Sequence, residues 1–316
     1  MRTIRVGVIR GGRNSDNYQK SISNGAIILR ALREHDDYTG HDILIDKDEV
    51  WHLDGVPIVQ ANLINKIDIC ISTTDDILEK SGSLSKILKS LGIKHVYPSK
   101  ESLRGYIPDS LKEQIKSVGV RTPKQLDLDF NDTNLAGQIH KTFSPPYSLI
   151  KVDSTGIVSH ITHSKNIDEL FEVLEKQELD SNQKYILEEY INGEEWAVNI
   201  IPNFRDTKFY TLHPVYLNTV NPAFKSNVQI SRSAEGRFAT PHVHGTLDLY
   251  GKLVAGLINS QNPITFIFRY DPNKKPVLFR IIDRHTLNDD AILLEALKES
   301  IVSESEYLDS ILKAWR

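Results

Sequence analysis

The sequence predicts an α/β chain, with an N-terminal parallel-sheet domain followed by a mixed α+β part. Three observations carry this expectation. Through the first part of the chain, β-branched runs alternate with helical stretches in the order of a βαβ series. Glycines and prolines punctuate those runs, as at Gly11-Gly12, Gly92 and Pro98. From Tyr147 onward, strand-like runs return on themselves across tight turns, the habit of antiparallel sheets.

A chain of 316 residues is long enough for two or three domains with their own cores. An apolar content of 40% with 25% charged residues is that of a soluble globular protein. The formal charge of −4 argues against non-specific binding to nucleic acid or to an acidic membrane. The single cysteine, Cys70, excludes an internal disulfide, and its apolar setting Ile67-Asp68-Ile69-Cys70-Ile71 marks a buried structural thiol. Met1-Arg2-Thr3 leads straight into a strand without a signal peptide, and no apolar run approaches a membrane span; a cytoplasmic protein is expected.

Ile4 to Arg10 reads as the first strand, and Gly11-Gly12-Arg13-Asn14-Ser15-Asp16 as a glycine turn opening a helix that Asn14, Ser15 or Asp16 can cap. The free amides of such a helix start favour an anion or a carboxylate. His41 to Ile45 is a second strand, and Asp46 to Gly55 a polar turn with a small hairpin. Ile67 to Ser72, a helix from Leu84 to Leu91, and Ile93 to Tyr97 complete a parallel-sheet domain of about one hundred residues. A helix over Leu111 to Val118 ends at Gly119. Tyr147 to Val152 and Ile157 to Thr162 are strands around the turn Asp153-Ser154-Thr155-Gly156, and Asn166 caps a helix to Lys176. Beyond Phe209 the pattern turns irregular up to Pro241, as an active-site loop would. A helix from Leu247 to Ser260, strands over Pro263 to Asp271 and Val277 to Asp283, and one closing helix end the chain.

The most informative stretch is Ile186-Leu187-Glu188-Glu189-Tyr190-Ile191-Asn192-Gly193-Glu194-Glu195-Trp196-Ala197-Val198. Asn-Gly between two strand-like runs predicts a hairpin. Acids on both sides of the turn can frame a pocket mouth for a ligand rich in amine and hydroxyl donors, such as adenosine. Taken alone, the stretch is better explained as an ordinary hairpin with solvated acids. His242 and His244 stand two apart without a third ligand and read as loop histidines.

The order of elements, with Val6 to Asp16, Asp46 to Leu53, Leu88 to Ser99 and the Glu188–Glu195 stretch, resembles the ATP-grasp enzymes, and among them the D-alanine–D-alanine ligases. The resemblance implies an ATP-grasp fold behind the N-terminal domain, divided at residues 1–98, 99–184 and 185–316. It implies a carboxylate–amine ligase of peptidoglycan precursor synthesis: ATP phosphorylates one D-alanine, and the amine of a second attacks the acyl phosphate. Asp16 would orient the first substrate, and Ser154 would belong to the glycine loop. Lys151 and Lys225 would meet the ATP phosphates. Glu188 would take the adenine amino group, and Glu189 and Ile191 would meet the base through their backbone. Tyr190 would lie beside the ring, and Glu195 would hold the ribose hydroxyls. Arg269 would steady the oxyanion, and Asp271 and Asp283 would bind Mg²⁺. A homodimer is the family's frequent assembly.

The chain departs from that pattern at the phosphates and the metal. The family position of one ATP-binding lysine falls near Ile107-Pro108, so that lysine is missing and only the later Lys112 matches; Thr73-Thr74-Asp75-Asp76 replaces a His-Gly turn; and the glycine loop is short. The bridging metal glutamate falls on Ile281, and an Asn-Thr-x-Pro-Gly segment has become Asp283-Arg284-His285-Thr286-Leu287. Phosphoryl transfer depends on such cations, so two readings follow. One is an active ligase, with Asp289 or Asp290 compensating. The other is a degenerate ATP-grasp protein that binds nucleotide or a partner without turnover.

Overall fold

The computed structural model describes residues 3–13, 15–74, 82–96, 107, 109–152, 158–176, 184–217, 239–259, 262–270, 275–282 and 291–315. The N-terminal sheet has strands β1 (Ile4–Gly11), β2 (Tyr38–Ile45), β3 (Trp51–Leu53), β4 (Val56–Ile58), β5 (Ile69–Ser72) and β6 (Lys94–Val96), in the order β4-β3-β2-β1-β5-β6. β1 lies parallel to β2 and β5, and β5 parallel to β6, while β3 and β4 form the expected small hairpin at the edge. Helices α1 (Ser15–Leu32) and α2 (Ser83–Ser90) belong to this domain. Gly11 closes β1 at φ +88°, where a Cβ would stand 2.1 Å from the Ile45 carbonyl oxygen, so only glycine fits. Cys70 is buried and free, and burial pushes its thiol up, as a structural thiol requires.

After helix α3 (Asp109–Ser117), a four-stranded antiparallel sheet follows. It contains β7 (Gln125–Asp127), β8 (Tyr147–Val152), β9 (Val158–Ser164) and β10 (Lys184–Glu189), in the order β7-β10-β8-β9, with helices α4 (Leu135–Thr142) and α5 (Ile167–Lys176). Asn166 caps α5 as expected, its Oδ1 accepting the Glu169 amide at 2.8 Å. The last sheet joins β11 (Glu194–Phe204), β12 (Thr207–Thr211), β13 (Val215–Leu217), β14 (Ile264–Tyr270) and β15 (Val277–Ile282). β11 lies between β12 and β14, β15 pairs with β14, and β13 also pairs with β11. Helices α6 (Pro241–Ile258), α7 (Ala291–Glu299) and α8 (Glu304–Lys313) complete the order.

Several sequence expectations change. The Asn192-Gly193 turn is not a hairpin, because β10 pairs with β7 and β8 while β11 pairs with β12, β13 and β14. Both strands find better partners elsewhere, and the turn becomes the joint between two sheets. Its Gly193 sits at φ +145° with a Cβ position 3.0 Å from the Tyr270 carbonyl oxygen. β10 therefore stands with β7–β9, and the two sheets divide after Glu189. β7 and α4 lie in a stretch with no expected element. Phe209 belongs to β12, and β13 follows it within the expected irregular stretch, of which residues 218–238 lie outside the described residues. Helix α6 begins earlier than the apolar pattern indicates, because Thr240 caps it and Pro241 occupies its first turn. His242 and His244 therefore lie on a helix rather than in a loop. The single closing helix is two.

The cores show how the parts are tied. One face of the last sheet, with Ala197, Ile201, Val215 and Ile267, shares a cluster with Val6, Val8, Ile28 and Leu32 of the N-terminal domain and with Leu297, Leu308 and Leu312 of α7 and α8. The other face, with Trp196, Val198, Phe266, Phe268 and Ile281, packs on Leu247 and Val254 of α6 and Ile115 of α3. The four-stranded sheet has its own apolar clusters, whose members all come from residues 126–187. No helix among the described residues is long and apolar enough to cross a membrane.

The α7–α8 corner carries a local strain. Val302 N donates to Leu297 O at 2.9 Å and Ile301 N to Lys298 O at 3.1 Å, a Schellman ending that places Ile301 at φ 53°. A β-branched residue is disfavoured there, and Ile301 is 86% exposed, so its side chain gains little from packing. Ile301→Gly is expected to stabilise the chain by about 1 kcal/mol. A higher urea midpoint at unchanged slope would show it; an unchanged or lower midpoint would refute it.

Candidate functional site

Register sets the site. Residues directly opposite in neighbouring strands share a sheet face. Gln125 lies opposite Glu188, Glu188 opposite Ser148, and Ser148 opposite His163, so one polar row crosses all four strands of the smaller sheet. The adjoining row, Asp127, Ile186, Ile150 and Ile161, is mostly apolar. In the last sheet Glu195 lies opposite Arg269, Ala197 opposite Ile267, and Ile267 opposite Arg280. Arg269 and Arg280 therefore share a face with Glu195. A bulge in β14–β15 pairing between Ile267 and Phe268 brings Phe279 beside both guanidiniums.

The two polar rows meet across the joint. Arg280 donates from Nη1 to Glu188 Oε2 at 2.9 Å and from Nη2 to Oε1 at 2.7 Å. Gln125 Nε2 donates to Glu188 Oε2 at 2.5 Å, and Lys112 of α3 donates to the Gln125 amide oxygen. Glu188 is 0% exposed. Arg269 donates from Nε to Glu195 Oε1 at 2.7 Å and also to the Ile191 carbonyl. The guanidinium centres lie 4.4 Å (Arg269) and 3.8 Å (Arg280) from the Phe279 ring centre, and Arg269 lies 5.5 Å from that of Tyr190. Glu189, at the end of β10, pairs with Arg121 and accepts the Lys124 amide at 3.1 Å.

His163 sits among these groups. Its Nδ1 shares a hydrogen bond of 3.0 Å with Ser148 Oγ, and its ring stands edge-on to Tyr190 at 5.6 Å. Burial pushes the imidazole down to about 4, and the Arg269 and Arg280 guanidiniums add to the effect. His163 is thus neutral near pH 7.

Of the expected site residues, the structure brings Glu188, Tyr190, Ile191, Glu195 and Arg269 together around the joint, with Glu189 at its rim. It places Lys151 elsewhere. Lys151 is three residues from Ser148, and strand alternation turns it to the face of Leu149 and Tyr185, where its ammonium lies 5.8 Å from the Tyr185 ring centre. Asp16 stands in the first turn of α1. Ser154, Lys225, Asp271 and Asp283 lie outside the described residues. Ile281, the expected place of a metal glutamate, faces the α6 side, and Arg280 occupies the site face instead. Among the described residues no three His, Cys, Asp or Glu side chains converge as a metal site would require. Sequence reasoning missed Arg280, Gln125, His163 and Phe279. A signal existed for Arg280, since a charge inside the apolar run Val277-Leu278-Phe279-Arg280-Ile281-Ile282 needs a buried partner.

Two antiparallel sheets facing each other across a joint, behind a parallel-sheet domain, make the ATP-grasp fold of the D-alanine–D-alanine ligases. The chain is similar to the D-Ala:D-Ser ligase VanG of Enterococcus faecalis, at 14% identity over 100% of both chains with a TM-score of 0.76. It is similar to D-alanyl-alanine synthetase A of Vibrio cholerae O1 biovar eltor, at 14% identity over 99% of both chains and a TM-score of 0.71. It also resembles a Bacillus anthracis D-alanine–D-alanine ligase complexed with ATP, at 18% identity over 99% of this chain and 96% of that one, with a TM-score of 0.66. Identities this low show the fold alone. No family model matches the sequence, and no curated protein is similar to it in sequence.

Proposed function

We propose that this chain is an ATP-grasp protein that binds a nucleotide or a partner without turning over a carboxylate–amine ligation. One observation carries the reading: the groups that would serve ATP and the acyl transfer are already paired within the chain. The Glu188 carboxylate, suited to the adenine amino group, accepts three hydrogen bonds from Arg280 and Gln125. Arg269, suited to a developing oxyanion, holds Glu195 and the Ile191 carbonyl. Arg280 also places a cation on the strand where a ligase needs a carboxylate for Mg²⁺, and a guanidinium repels a divalent metal. The described residues therefore do not fit Mg²⁺.

A second reading, the D-alanine–D-alanine ligase, is favoured by the fold's full-length likeness to such ligases and by Arg269, which keeps a place beside Tyr190 at the joint. In that reading ATP transfers its terminal phosphoryl group to one D-alanine carboxylate. The amine of a second D-alanine then displaces phosphate. Incubating the purified protein with ATP, Mg²⁺ and D-alanine separates the two. No D-alanine-dependent release of ADP and phosphate is expected; sustained release would replace the first reading with the second.

A further inference from the structure

We propose that Arg280 is a built-in occupant of the cleft, a clasp that holds the four-stranded sheet against the last sheet and keeps ligands from Glu188 until it opens. The inference rests on the reading of this cleft as a nucleotide site and adds how access to it is controlled.

Three observations carry it. First, the four-stranded sheet has apolar clusters of its own, drawn from residues 126–187, and among the described residues no apolar cluster joins it to the last sheet. Second, a polar contact centred on Arg280 joins the two sheets. Its guanidinium takes both oxygens of Glu188 at 2.7 and 2.9 Å, in the two-pronged geometry that planar recognition of a carboxylate favours. The same group donates to its own Phe279 carbonyl at 2.6 Å and stacks on the Phe279 ring, so its own strand aims it at the smaller sheet. Third, the chain between the sheets is the short turn after Glu189, with Gly193 at φ +145°. The backbone contact from Leu278 N to Arg121 O at 2.8 Å sits beside the clasp, and the Arg121–Glu189 pair closes its outer side.

The chemistry is that of a ligand mimic. A fully buried carboxylate on a sheet facing a cleft is suited to an amine-bearing ligand, and here a guanidinium from the opposite sheet fills that role. A ligand that needs Glu188 must displace Arg280, and its apparent affinity falls by the fraction of molecules in which the clasp is closed.

The test compares the wild-type chain with Arg280→Gln, using ATP as the probe with and without Mg²⁺ in calorimetric titration. Arg280→Gln is expected to bind ATP at least tenfold more tightly, and equal affinities would overturn the clasp. Arg280→Lys, which keeps the charge but lacks the fork, covers the case in which the first variant fails to fold, and is expected to shift affinity the same way. If neither protein binds ATP, the nucleotide reading fails and small-angle X-ray scattering decides the clasp by itself. A larger radius of gyration in the variant supports it, and an unchanged one overturns it.

Discussion

Arg280→Leu is expected to lower stability by about 3–5 kcal/mol. The substitution leaves the Glu188 carboxylate buried with only the Gln125 amide to answer its charge. Removing both charges is a different experiment. Glu188→Gln with Arg280→Met keeps volume, leaves Gln125 a hydrogen-bonding partner, and is expected to return to within about 1 kcal/mol of wild type, since a buried ion pair and a well-packed neutral pair are often nearly equal. The cycle therefore predicts a large, favourable coupling between two residues 92 positions apart in sequence. Urea unfolding of the four proteins measures it. An Arg280→Leu protein within 1 kcal/mol of wild type would mean that solvent reaches the pair, against its observed burial.

Stability is also expected to fall as pH drops from about 6.5 to about 4 through His163. The folded-state value is about 4 against an ordinary 6.5. Between these values the unfolded chain binds the proton and the folded one does not, so stability rises with pH across that window and levels off above it. The full contribution is at most about 3 kcal/mol. The physical origin is burial, reinforced by two neighbouring guanidiniums that a protonated imidazole would repel. His163→Gln should flatten this part of the pH profile while keeping a hydrogen bond within reach of Ser148. A profile equally steep in both proteins would place the titrating group elsewhere.

The strands were largely legible because their apolar runs are long enough to be read without context. The N-terminal sheet is such a case, from Ile4–Gly11 to Lys94–Val96. β7 and α4 escaped although they left traces: Leu126 and Leu128 alternate, and Leu135 and Ile139 stand one helical turn apart. Those signals are too short to decide an element alone, and both stretches take their order from packing within the smaller sheet's core. The Asn192-Gly193 signal misled for a related reason. A hairpin turn needs its flanking strands to choose each other, and here seven residues of β14 claim β11 while β8 claims β10.

The sequence by itself determined the fold class and singled out the stretch around Glu188 to Glu195 on which a cleft would be built. Local patterns suffice for these, because period and punctuation are written within a few residues of each other. The tertiary structure alone decided what those acids do. Glu188 and Glu195 read from sequence as open acceptors; in the fold one meets Arg280 and the other Arg269. The strand register that brings them together depends on long-range pairing, which no local spacing encodes. That is why the same acids that pointed to a nucleotide edge proved to be held by the chain's own arginines.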